Sequence, residues 1–171
     1  LNTYKDDKED NIFYGKIDMD AIGITGHSQG GIGVINAITD QKHASVYKAA
    51  VALSSTQTDM AKALQWDSDA SEIRTPFLMI SSTGSTDEKI TPLSAMQATF
   101  ASIPDSVTKV LARRNTGDHG EMLYSGDGYV TAWFAYYLQG DEEAGKAFFG
   151  SSPEISSNEL YQDVEISAGE K

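Results

Sequence analysis

Hydrophobic positions in this chain fall into short clusters divided by polar stretches. Ile17, Ala21, Ile22 and Ile24 make one apolar segment, bounded by aspartates and then by Gly26, the pattern of a buried strand. Ile32, Val34, Ile35 and Ile38 follow at mixed helical spacing, so the strand turns directly into a helix. Residues 49–53 form a second apolar run, small and partly β-branched. Residues 77–80 form a third, entered through Pro76, which suits a first strand position because no N–H is required of it there. A helix is expected from near Pro92, a favoured first-turn residue, with Leu93, Met96, Phe100 and Ile103 buried. Residues 107–111 read as a fourth strand, and 129–138 and 142–149 as helices. Strands alternating with helices at this spacing imply βαβ units and an α/β fold, a parallel sheet of about four strands covered on both faces. Residues 1–150 carry that pattern. Residues 151–171 are acidic and sparsely apolar, and are expected to form a C-terminal extension, packed through Ile155, Leu160, Tyr161, Val164 and Ile166 or frayed.

Composition narrows the chemistry. The 171 residues suffice for one domain that buries about 70% of its unfolded surface. With no cysteine, disulfides, thiolate metal sites and cysteine nucleophiles are excluded. A net charge of -12 repels phosphate backbones and anionic lipid, which argues against nucleic-acid and membrane-surface partners. No apolar run approaches the roughly 20 residues of a membrane-spanning helix, so no membrane span is expected. Lys5, Asp6, Asp7, Lys8, Glu9 and Asp10 read as a solvated charge cluster, since their aspartates lack the alternating spacing of a calcium loop.

The chemistry concentrates in Gly26-His27-Ser28-Gln29-Gly30-Gly31, which follows a strand and opens a helix. That is the setting of a G-x-S-x-G nucleophile elbow, in which a sharp, strained turn presents the serine. Gly26 and Gly30 are expected to remove side chains that would collide at the turn, and Gly31 to let the helix pack closely. The Gln29 N–H, at the helix start, is placed to stabilise an oxyanion. Serine is a poor nucleophile without a base, and the base needs an orienting carboxylate. Of the three histidines, His27 diverges from Ser28 on such a turn and is expected beside the site, packing, hydrogen bonding or contacting substrate. His43 lies in a polar helix-end segment. His119, in the loop after the fourth strand, is the candidate base, because loops at the C-terminal ends of parallel strands build sites. Asp87, after the third strand, is the favoured carboxylate, with its neighbour Glu88 and Asp59, after the second strand, as alternatives. Asp118 reads as a loop-capping residue.

The order Ser28, Asp87, His119 on an α/β pattern resembles the α/β-hydrolase family. The subgroup it is most similar to is the bacterial cutinase, polyester hydrolase and chlorophyllase-like esterases, close to the dienelactone hydrolases. The resemblance covers about residues 18–149. It rests on the elbow, on Thr75-Pro76, on Gly117-Asp118-His119-Gly120, and on the helix around Ala132-Trp133-Phe134-Ala135-Tyr136-Tyr137-Leu138. It implies Ser28 as nucleophile, His119 as base, Asp87 as its orienter and Gln29 as one oxyanion donor. Trp66 is similar to an aromatic lining the acyl cleft, with packing as the plainer role. The implied activity is a serine carboxylesterase acting on small or polymeric esters without metal or organic cofactor; a peptidase or acyltransferase is an alternative on the same fold.

In that family the elbow follows the fifth of about eight strands, whereas here it follows the first. Together with a first residue, Leu1, that is not methionine, this leads to the expectation of the C-terminal part of a hydrolase of about 250 to 300 residues. The absent half would carry the second oxyanion donor. The chain is therefore also read as a non-catalytic fragment or assembly partner, completed by an N-terminal segment or a second copy. Whether it is secreted or cytoplasmic is left open.

Overall fold

The computed structural model describes residues 11–39, 41–66 and 68–169; the charge cluster at 5–10 lies outside them. In chain order the elements are β1 (Ile22–His27), α1 (Gln29–Thr39), β2 (Tyr47–Leu53), α2 (Thr58–Ala63), β3 (Phe77–Ser82), α3 (Asp87–Ile90), α4 (Leu93–Ser102), β4 (Lys109–Arg114), α5 (Met122–Ser125), α6 (Asp127–Gln139), α7 (Glu142–Gly145), α8 (Glu154–Ser157) and β5 (Tyr161–Ser167). The sheet runs in sequence order, β1 to β5. The first four strands are parallel, with β1 at one edge.

Both faces of the sheet are covered, so its strands read as apolar runs and not as alternating ones. Ala50, Ala52, Phe77 and Met79 pack on one side with Ile32, Ile35 and Ile38 of α1 and Met96 of α4. Val51, Leu53, Leu78 and Ile80 pack on the other with Tyr129 and Trp133 of α6 and with Phe148. Trp133 is fully buried and meets the Phe148 ring edge-on at 5.0 Å. Its burial, like that of any large apolar side chain, contributes on the order of 2–3 kcal/mol.

Two expectations need correction. Among the described residues the sheet has a fifth strand beyond the four read from the sequence, because the segment after residue 150 supplies α8 and then β5, antiparallel to β4. Asp163 adopts a left-handed conformation, φ 53°, where the β4–β5 register shifts between Leu111 and Arg113. The resulting bulge puts Tyr161, Val164 and Ile166 on one face at intervals of three and two, which hides the strand's alternation in the sequence. The helix expected over 142–149 stops at Gly145, which packs so closely on the Tyr136 ring that a Cβ there would lie 2.6 Å from it. Beyond it the chain turns and delivers Phe148 to the core.

Candidate active site

The C-terminal ends of β1 to β4 lie along one side of the sheet, and the loops leaving them bring four segments together. Between β1 and α1, Ser28 adopts a left-handed backbone, φ 58°. Such a conformation costs a non-glycine residue about 1–3 kcal/mol and persists only where the surroundings enforce it. Here the Ser28 N–H donates to the Leu53 carbonyl at 2.9 Å, while the Ser28 carbonyl accepts from the Gly31 and Thr56 amides at 2.9 and 3.2 Å. A Cβ at Gly26 would overlap the Gly30 carbonyl, and one at Gly31 would lie 2.8 Å from Ser55 Cα. At Gly30 itself a Cβ would meet nothing within 4 Å. The expectation that Gly30 relieves a collision is thus corrected: Gly30 supplies the backbone that Gly26 must avoid. Gln29 is the first residue of α1, so its N–H has no acceptor within the helix.

His119 sits in a single 3-10 turn, His119–Glu121, after β4. Its Nε2 lies 2.9 Å from Ser28 Oγ and its Nδ1 lies 2.7 Å from Asp87 Oδ1. A carboxylate only accepts, so Nδ1 carries the proton and the Ser28 hydroxyl donates to Nε2. Asp87, at the start of α3, is fully buried. Its second oxygen accepts from the Ser82 amide at 2.6 Å, the Ser54 hydroxyl at 2.8 Å and the Ser82 hydroxyl at 2.9 Å. Desolvation of this carboxylate is offset by hydrogen bonds to both oxygens. Ser54 is itself left-handed, φ 42°, at the end of β2.

The alternative carboxylates are placed elsewhere. Glu88 pairs with Arg113, and Asp59 is an exposed residue in the first turn of α2. His27 donates from Nε2 to the His119 carbonyl at 2.7 Å, with the two rings 4.6 Å apart. Trp66 is half-buried and packs against the core cluster to which α1 and α4 contribute. His43 is exposed beside a short 3-10 turn. Asp118 caps the His119–Glu121 turn, and Glu121 reciprocates. Bonds from Thr86 and from the His119 amide hold the Asp118 carboxyl down to about 2. Sequence reasoning does not single out Ser54 or Ser82. Their only signal was a polar residue abruptly ending an apolar strand. Among the described residues, no three His, Asp or Glu side chains cluster as metal ligands would.

No family model matches the sequence, and no curated protein matches it. Solved structures do. Uncomplexed Pyrococcus horikoshii acylaminoacyl peptidase aligns with a TM-score of 0.58 at 18% identity, over 74% of this chain and 25% of that one. Its orthorhombic crystal form gives 0.53 at 16% identity, over 76% and 25%. An acylaminoacyl peptidase in complex with Z-Gly-Gly-Phe-chloromethyl ketone gives 0.51 at 19% identity, over 75% and 24%. The chain spans about a quarter of the length of these proteins, and at such identities the likeness is one of fold. Four parallel strands with helices on both faces, a left-handed serine turning β1 into α1, and this shared architecture give the chain the fold of a C-terminal portion of the α/β hydrolases.

Proposed function

We propose that this chain carries the catalytic residues of a serine hydrolase that cleaves carboxylic esters through an acyl-enzyme. The supporting observation is the continuous hydrogen-bonded line from Ser28 Oγ through His119 to Asp87, at 2.9 and 2.7 Å. In this reading Ser28 Oγ attacks the ester carbonyl as His119 Nε2 takes its proton. The tetrahedral oxyanion forms beside the Gln29 N–H at the start of α1, where the helix dipole favours negative charge. His119 passes the proton to the departing alkoxide, the alcohol leaves, and Ser28 holds the acyl group. Water then attacks with His119 again as base, and the carboxylic acid departs. Asp87 holds the imidazole in the Nδ1–H tautomer and stabilises the imidazolium. The three catalytic groups serve ester and amide alike, and the ester is the substrate class that the sequence reading puts first.

A second reading, peptide or acyl-peptide hydrolysis, is favoured by the fold shared with acylaminoacyl peptidases. Hydrolysis of short p-nitrophenyl esters and of N-acylaminoacyl p-nitroanilides, by the parent and by Ser28→Ala, tests both. The expected result is faster ester turnover that falls by at least about 10³-fold in Ser28→Ala. Anilide turnover exceeding ester turnover would favour the second reading, and full activity of the variant would overturn both.

A further inference from the structure

We infer that Asp118 is a positioning residue that joins the loop carrying Asp87 to the loop carrying His119, setting the distance between them. The inference rests on the reading of Ser28, His119 and Asp87 as a triad and adds a fourth group to it. Asp118 Oδ1 accepts from the backbone amides of Thr86 at 3.0 Å, Asp87 at 3.0 Å and His119 at 2.8 Å, and its Oδ2 lies 3.2 Å from the Thr86 amide. One carboxylate oxygen therefore holds the main chain of both residues whose side chains meet 2.7 Å apart. Capping the His119–Glu121 turn accounts for the bond to His119 alone. The bonds to Thr86 and Asp87 cross to a loop more than 30 residues earlier in the chain.

Two further features fit this arrangement. A Cβ at Gly84 would lie 2.5 Å from Asp118 Oδ1 and 2.6 Å from Asp118 Cα, so only a glycine leaves the carboxylate room to reach the acid loop. From the opposite side His27 donates to the His119 carbonyl, so the base residue is held through both its N–H and its C=O. Bonds from amides to an ionised carboxylate are the stronger kind, and a misplacement of about 1 Å at a reacting group can cost about 10²-fold in rate.

The test compares Asp118→Ala, Asp118→Asn and Gly84→Ala with the parent. The readouts are ester turnover per fluorophosphonate-titrated site and the downfield proton resonance of the His119 Nδ1–H in NMR spectra. Asp118→Ala is expected to lower kcat by about 10- to 100-fold with KM little changed, and to shift or broaden that resonance. Asp118→Asn retains an acceptor oxygen and is expected to recover most of both. Gly84→Ala keeps the Asp118 carboxylate but pushes it out of position, and should reproduce the loss. If Asp118→Ala fails to fold, the other two variants carry the comparison through the resonance, which requires no turnover. Parental kcat per site and an unmoved resonance in the alanine variant, or in Gly84→Ala, would overturn the inference even where all variants melt earlier. Ser28→Ala run alongside separates the two ideas. Full activity there removes the triad reading itself, whereas loss there with an unaffected Asp118 series removes this inference alone.

Discussion

At the scale of single residues, two serines are held in left-handed backbone for different ends. Ser28 is turned outward to meet His119, and Ser54 is turned inward so that its hydroxyl reaches Asp87 Oδ2. The strain at Ser54 and the hydrogen bond it makes can be separated. Ser54→Ala removes the bond but keeps the unfavourable φ, with an expected stability loss of about 1.5–3 kcal/mol, the range for a hydrogen bond to a charged group. Ser54→Gly removes the bond and the strain together and should recover about 1 kcal/mol of that loss, read from urea unfolding midpoints. In both variants kcat should fall only several-fold, because the Ser82 amide and hydroxyl still hold the same oxygen. The elbow turn was legible beforehand, since a glycine-flanked serine between a strand and a helix is a local pattern. Ser54 was not, because nothing near it in sequence indicates a carboxylate 33 positions later.

At the scale of elements, the nearly buried Arg113 of β4 ties α3 to β5. It bonds Glu88 on one side and, at 2.9 Å, Asp163 on the other. Burial works against the guanidinium charge, yet the bonds from Glu88 and then Asp163 leave its pKa raised above the ordinary value. Glu88 is adjacent to Asp87 in sequence but points into this ion-pair network. On the proposed function, Asp87→Asn is expected to lower kcat by about 10⁴-fold, through the wrong imidazole tautomer. Glu88→Gln should leave kcat within a few-fold while lowering stability by about 1 kcal/mol, since its side chain is partly exposed. Parallel ester kinetics and thermal melts would check the pair, and comparable kcat losses would mean that Glu88 shares the acid's role. Strands β1 to β4 were readable as apolar runs because both of their faces are covered. β5 was not, because the bulge at Asp163 interrupts the two-residue period that would have marked it.

Across the whole molecule, the acidic residues that outnumber basic ones also shape its response to pH. The Asp118 carboxyl is held down to about 2, and that of Asp163 is lowered by Gln162 and Arg113 against the opposing effect of burial. A folded-state value below the unfolded value near 3.9 means that the unfolded chain binds the proton first as pH falls. The stabilisation is full well above pH 4 and is lost as pH falls toward 2. Urea midpoints measured between pH 6 and pH 2 should therefore decline, and decline less steeply in Asp118→Asn, which has no proton to take up; an unchanged slope would count against these assignments. Legible in the sequence were features set by near neighbours: the strand-to-helix turn at Ser28, the need for glycine at positions 26 and 31, the alternation of strands and helices, and the cap at Asp118. These follow from backbone sterics and local hydrogen bonding, which act over a few residues. It takes the folded chain to bring Asp87 to His119 and Glu88 to Arg113, to set Asp118 across both loops, and to lay Tyr161–Ser167 beside β4 as a fifth strand. Those outcomes depend on distances through space between groups far apart in the chain, and only closing the sheet brings them within reach.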